Sequence, residues 1–285
     1  MKILLIPLLA HDSSVCIIED GKIIHYQMEE RFSREKHDKK FINILNNLKG
    51  EHFDKVIINH QWFFTDSLQK IGNRLEGILY DELVIKTGMH HVFHAYSGFY
   101  NSRFDEAICL SLDGHGSLLN KSNVEIETIF LLRKNYKEEI PHQKTRKQKI
   151  FSKENNFYEI NYPIQEEDYS VGEKFHKYSK EIGYGILDGP GKIMGLAQYK
   201  NYKEKLLHPY NTKEWKQRVD HSHKLQQETQ EYVLDLIKEQ IHETGIKNII
   251  ISGGYGLNCV ANYHYLKNLK DINLYIDPIC FDAGI

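Results

Sequence analysis

The sequence predicts an α/β protein made of two similar halves. Three observations predict it. Apolar runs of strand length and stretches of helical spacing recur along the chain of 285 residues, on both sides of a polar stretch at 134–168. The order of elements starts over near residue 106, where a strand, a loop and a second strand repeat the opening of the chain. Each opening also sets an acidic residue near its first loop, Asp12 and then Asp113.

The first half spans 1–104. Residues 2–30 alternate strand and turn: KILLIPLLA, SSVCIIED and KIIHYQMEE, the last two joined by Asp20-Gly21, a hairpin pair. The loop after the first strand, HDSS, gathers His11, Asp12, Ser13 and Ser14 at a strand end, where a plain turn and a polar site look alike. Residues 30–40, ERFSREKHDKK, form a basic segment whose cations either face solvent or turn inward to a phosphate. A helix over 41–48, a strand over 54–60 and helical spacing at Leu68, Ile71, Leu75 and Ile78 behind a Thr65-Asp66-Ser67 cap complete a βββαβα unit.

The half ends in MHHVFHAYSGFY. A helix over 88–100 stacks His90 and His94 on one face, because 3.6 residues per turn brings i over i+4, and one divalent cation could accept both. The spacing alone is more often that of a satisfied surface or core pair. It does not fit a zincin protease, since His91 stands where that motif has its glutamate.

The second half spans 105–285. The apolar run 107–112 is a buried strand with Asp113 at its end, followed by a Gly-His-Gly loop, the position where open α/β sheets place their chemistry. A strand over 124–133 follows. Residues 134–168 are polar and unpatterned and read as a surface excursion. A helix over 169–186 carries Val171, Phe175, Tyr178 and Ile182 on one side. Glycines 189, 191 and 195 around Lys192 look like a phosphate cradle without P-loop spacing. Leu225, Tyr232, Val233, Leu236, Ile237 and Ile241 mark a long amphipathic helix that Gly245 stops. The strand KNIIISGG then opens at Gly253 and Gly254 before a new helix, where backbone N–H groups could meet phosphates. The chain closes on Asp282, which reads as a helix N-cap.

Composition narrows the function. A net charge of -2 argues against a dedicated nucleic-acid surface. No run of about 18 apolar residues is present, which argues against a membrane span and for a cytoplasmic protein. Cys16, Cys109, Cys259 and Cys280 lack CxxC spacing and lie in apolar runs, so reduced core cysteines are expected.

Seven blocks in order, HDSS, EERFSREKHD, HHVFHAYSGFY, LSLDGHG, GPGKIMGLA, SGGYGLNCVAN and DAGI, resemble the carbamoyltransferase family of the nodulation protein NodU and the antibiotic O-carbamoyltransferases. The first domain of that family resembles the tRNA threonylcarbamoyl-transfer protein TsaD. The resemblance implies an actin-like ATPase (ASKHA) fold of two RNase H-like subdomains, the second incomplete at its C-terminus. It implies a divalent metal, Fe2+ in the characterised relatives, on His90, His94, Asp113 and Asp282. His11 matches the catalytic histidine that takes the acceptor's proton, and Lys36 a phosphate contact. Gly172, Lys192, Gly253, Gly254 and Asn258 lie where relatives hold the adenylate.

The implied reaction makes carbamoyl-adenylate from carbamoyl phosphate and ATP, and a hydroxylated small molecule then attacks it. The family makes that intermediate on a YrdC-like domain beyond this chain, so the chain is expected to be about the first half of such a protein, or to work with a separately encoded YrdC-like partner. The family's acidic residue after the DG-x-G loop is Ser117 here. Two other readings stay open: threonylcarbamoyl transfer to tRNA, and a metal- and nucleotide-binding module without turnover.

Overall fold

The computed structural model describes residues 1–8, 11–60, 72–114, 116–120, 123–134, 142–146, 170–201 and 212–282. Two five-stranded mixed sheets carry the chain. The first is built from β1 (Lys2–Leu8), β2 (Ser14–Glu19), β3 (Lys22–Met28), β4 (His52–His60) and β5 (Leu79–Thr87), in the order β3-β2-β1-β4-β5. The second uses β6 (Glu106–Leu112), β9 (Glu127–Arg133), β10 (His142–Arg146), β11 (Asn248–Ser252) and β12 (Asn273–Ile276), in the order β10-β9-β6-β11-β12. A small ribbon of β7 (Leu118–Asn120) and β8 (Asn123–Val124) interrupts the second set. In both sheets the first strand pairs antiparallel with the second and parallel with the fourth. The repeat read from the chain is therefore a repeat of topology.

Local chemistry explains most elements. Asp20 and Gly21, with φ of 47° and 78°, make the left-handed turn of the β2–β3 hairpin. After one helical turn, α1 (Glu30–Ser33), the chain reaches the short α2 (Ile42–Asn46), less than the 41–48 expected. The buried Glu29 carboxylate accepts the N–H groups of Asn43 and Ile44 and so satisfies the start of α2. Helix α3 (His90–Ser102) packs Val92, Ala95 and Phe99 against Ala107, Cys109, Phe130 and Ile250 of the second sheet. Each such buried Val or Phe contributes about 1.5–3 kcal/mol. The other face of that sheet is covered by α4 (Val171–Glu181), α5 (Gly189–Ala197), α6 (Lys213–Thr244) and α7 (Cys259–Asn268), with Phe175, Ile193, Val233 and Ile237 at the centre of the core. The Thr212 side chain accepts the Trp215 N–H at the start of α6, and Gly245, φ 74°, ends it as the sequence indicates.

Four readings need correction. Strand β5 was not foreseen: it is an edge strand with Asp81, Glu82 and Lys86 pointing outward, so its apolar alternation is faint. The polar excursion contains an edge strand, β10; residues 135–141 and 147–168 lie outside the described residues. Gly189, Gly191 and Gly195, read as a phosphate cradle with no element assigned, belong to a helix, because Pro190 starts it and Ile193, Leu196 and Ala197 bury one side. All four cysteines are free, yet only Cys109 and Cys280 are buried; Cys16 is half-buried and Cys259 exposed. Leu68, Ile71 and their cap, His115 and residues 283–285 also lie outside the described residues. No helix among the described residues is long and apolar enough to cross a membrane.

Candidate functional site

The packing of α3 sets His90 and His94 beside the end of β6, where Asp113 emerges, and the chain returns after β12 to bring Asp282 to the same point. His90 Nε2 lies 3.2 Å from His94 Nε2, 3.0 Å from Asp113 Oδ2 and 3.4 Å from Asp282 Oδ1. His94 Nε2 lies 3.6 Å from Asp113 Oδ2 and 3.4 Å from Asp282 Oδ1. Neighbouring ligands around an ion with bonds of about 2.1 Å are separated by roughly 3.0–3.4 Å, by simple octahedral or tetrahedral geometry. The four side chains therefore fit a divalent cation, with two neutral nitrogens and two anionic oxygens.

Electrostatics agree. Both imidazoles are fully buried, which alone would favour their neutral forms. The carboxylates of Asp282 and Asp113 overcome this and push His90 up to about 10, with His94 raised as well. The two imidazoles in turn hold Asp113 and Asp282 well below the usual carboxylate range, against the burial that would raise them. So much buried charge is costly unless paired, and a cation is one way to pair it. Nδ1 of each ring is buried without a partner among the described residues. The rings are thus oriented by helix packing rather than by the hydrogen-bonded support common behind metal-ligating histidines.

A second group adjoins the first. Asp282 Oδ2 faces His11 Nε2 at 3.6 Å, and His11 Nδ1 donates to Asp12 Oδ2 at 2.5 Å. Asp12 Oδ1 also accepts from His37 Nδ1 at 3.0 Å, while His37 Nε2 lies 3.5 Å from Asp188. Asp188 carries the Lys36 ammonium as an ion pair. Asp12, His37 and Asp188 were not singled out from the sequence as site residues; the HDSS and EKHD words were the available signal for the first two. Asp188 had none.

The glycines assigned to a nucleotide have structural duties here. A Cβ on Gly172 would lie 2.6 Å from the Asp113 carbonyl, so its absence lets α4 reach the Asp113 peptide. Gly253, φ 84°, lies against Leu112, where a Cβ would meet the carbonyl oxygen at 2.3 Å. The Gly254 N–H donates to Asp113 Oδ1 at 3.1 Å. The Asn258 side chain caps α7 by accepting from Ala261 and pairs with Gln226 of α6. Lys192 is exposed on α5 with its ammonium 5.7 Å from the Tyr184 ring centre, tied to that ring and not to the cluster. Ser117 Oγ accepts the His90 N–H at 3.0 Å, and its own N–H donates to the buried Glu125 carboxylate.

No family model matches the chain. It is 24% identical over 358 residues to an uncharacterized protein of Synechocystis, covering 96% of this chain and 54% of that one. It is 22% identical over 340 residues to nodulation protein NolNO of Sinorhizobium fredii, covering 96% and 45%. The chain thus spans about half the length of these relatives. Among solved structures, full-length HypF in its phosphate- and nucleotide-bound form aligns with a TM-score of 0.55 at 15% identity, over 99% of this chain and 54% of HypF. A ROK family protein of Streptococcus pneumoniae in complex with sucrose aligns with a TM-score of 0.50 at 9% identity, over 100% and 95%. The chain has the actin-like ATPase fold.

In that fold the two sheets are equivalent, and so are β1 and β6. The residues just past the ends of these two strands are the ones that meet. His11 and Asp12 come from one and Asp113 from the other, with Asp282 between them.

Proposed function

We propose that the chain is the transfer module of an ATP-dependent O-carbamoyltransferase, which moves a carbamoyl group from carbamoyl-adenylate to a hydroxyl of a small molecule such as a sugar or natural-product precursor. One observation carries the reading. Side chains at 90, 94, 113 and 282, the ligand set implied by the resemblance, lie with their ligand atoms all within 4.8 Å, and His11, the implied base, faces one of them. The similarity to a nodulation protein supports it, as does the fold shared with HypF, a protein captured with phosphate and nucleotide.

In this reading His90, His94, Asp113 and Asp282 hold a divalent cation, Fe2+ by the resemblance. Such an ion, when bound, draws charge from phosphate and carbamoyl oxygens. His11 Nε2 takes the proton from the acceptor hydroxyl as that oxygen bonds to the carbamoyl carbon. The bond from that carbon to the phosphate oxygen breaks, and AMP leaves with the electron pair. Lys36 meets the phosphate. Its partner Asp188 is exposed, and an exposed ion pair is worth at most about 1 kcal/mol, so exchanging it for a phosphate is easy. The adenylate would lie along Gly172, Lys192, Gly253, Gly254 and Asn258. Carbamoyl phosphate and ATP enter through a YrdC-like domain, in the same polypeptide or a separate one.

The test is to supply the protein and a YrdC-like partner with ATP, carbamoyl phosphate and a panel of alcohols, and to follow AMP. AMP release that depends on an added alcohol and is lost in His94→Ala is expected. Release indifferent to both would overturn the reading.

A further inference from the structure

The Asp12 carboxylate serves two imidazoles at once. Its two oxygens are taken by His11 Nδ1 at 2.5 Å and His37 Nδ1 at 3.0 Å, and the two rings meet edge to face with centres 6.1 Å apart. At 4% exposure the carboxylate has almost no access to water. An ionised carboxylate only accepts, so both nitrogens facing it carry hydrogen. In the neutral ring of His11 this leaves Nε2 bare, on the side that faces Asp282 and the four-residue cluster.

The backbone gives an independent sign. Asp12 and His37, the two ends of one hydrogen bond, both have left-handed backbones, with φ of 57° and 58°. Each such residue costs about 1–2 kcal/mol, and this kind of local cost persists where the surroundings enforce it, often at functional sites. Here the surroundings are two loops laced together: the Ser13 N–H donates to Asp38 O and the Glu29 N–H to Ser13 O, both at 2.8 Å. On its far side His37 faces Asp188, from the second half of the chain.

We propose that Asp12 and His37 are positioning residues for His11. Asp12 fixes the His11 ring with hydrogen on Nδ1 and a bare Nε2 toward the cluster, and His37, with Asp188 on its far side, fixes Asp12. The role assigned to His11 rests on the function proposed above; the ring geometry does not. His11, Asp12 and His37 also have the residue types of a cation site. Yet a 2.5 Å separation is a hydrogen bond, and is closer than the roughly 3 Å at which two ligands share one ion.

The experiment combines ring-nitrogen NMR of the metal-free chain labelled with 15N-histidine, metal content, and kinetics of the complete transfer system. Above the titration of the rings, the His11 signal, identified by its loss in His11→Ala, is expected as the Nδ1–H form. In Asp12→Asn, whose amide can donate, it should move toward the Nε2–H form. The same variant should keep its metal and lower kcat by about three orders of magnitude with KM for the acceptor little changed, the pattern of an aspartate that orients a catalytic histidine. His37→Ala should lower kcat about tenfold, and His37→Gln, which can still donate to Asp12, should recover most of it. A His11 ring that stays in the Nδ1–H form in both Asp12→Asn and Asp12→Ala overturns the proposal. So does metal content that drops from two ions to one in Asp12→Asn, which would make the trio a cation site. If no transfer occurs in the unaltered protein, the function fails while the NMR result still decides the positioning.

Discussion

Asp113 divides its carboxylate between Gly254 and His90: Oδ1 accepts the Gly254 N–H at 3.1 Å and Oδ2 lies 3.0 Å from His90 Nε2. One side chain thus joins the end of β11 to helix α3 through the end of β6. Removing it should do two things. Asp113→Ala is expected to lose bound divalent metal and also to destabilise the chain, because the part-buried Gly254 N–H loses its acceptor, at about 1–3 kcal/mol for a group left unpaired, and the buried His90 and His94 rings are left with Asp282 alone. Metal analysis with thermal unfolding of the metal-free chain separates the two. A variant that loses metal but unfolds like the parent would show that the link to Gly254 is incidental.

His94→Ala and His11→Ala should part company. His94 points its Nε2 at both carboxylates of the cluster, whereas His11 approaches the cluster at Asp282, at 3.6 Å, and gives its Nδ1 to Asp12 outside it. Metal content should fall by at least tenfold in the first and stay at the parental level in the second, which should nonetheless lose transfer activity. Equal metal loss in both would make His11 a ligand rather than a base.

Much of this arrangement was legible in the chain, and the exceptions have physical causes. His90 and His94 announced themselves because helical spacing is local, and Asp113 because it ends an apolar run. The local signal at Asp282 is that of a helix N-cap and not of a ligand: it meets the others only through the return of the chain after β12, and the resemblance alone pointed to that role. The glycines around Lys192 suggested a phosphate cradle but gave no helical signal, and it is Pro190 and the buried side of α5 that make the run a helix. The link from His37 to Asp188 joins residues of different halves, and pattern reading has no access to such a pair.

Proton linkage gives a third test. In the metal-free chain His90 is pushed up to about 10 from an ordinary value near 6.5 by Asp282 and Asp113, despite burial that lowers it. A group raised on folding stabilises fully below its unfolded value and loses that contribution as pH rises toward its folded value. The metal-free chain should therefore become less stable between about pH 6.5 and 10. A cation needs the same nitrogen bare, so at about pH 7 its binding should release on the order of one proton per chain, and its affinity should grow with pH. Calorimetry in buffers of different ionisation enthalpy reads the proton count. Release of none would mean that the cation binds elsewhere.

Gly253 offers a test of the scaffold apart from the chemistry. Its φ of 84° is disfavoured for any residue with a Cβ, and that Cβ would lie 2.3 Å from the Leu112 carbonyl oxygen and 2.6 Å from its carbon, backbone atoms that cannot swing away. Strain and overlap together should cost Gly253→Ala about 2–4 kcal/mol. Because β11 and β6 are neighbours, forcing their ends apart should also pull the Gly254 N–H from Asp113 and weaken metal binding. Gly191→Ala is the control, since its Cβ would meet nothing within 4 Å and alanine favours a helix. It should unfold at or above the parental temperature, and a Gly253 variant that matches it would place the tight approach of these two strand ends outside what the fold requires.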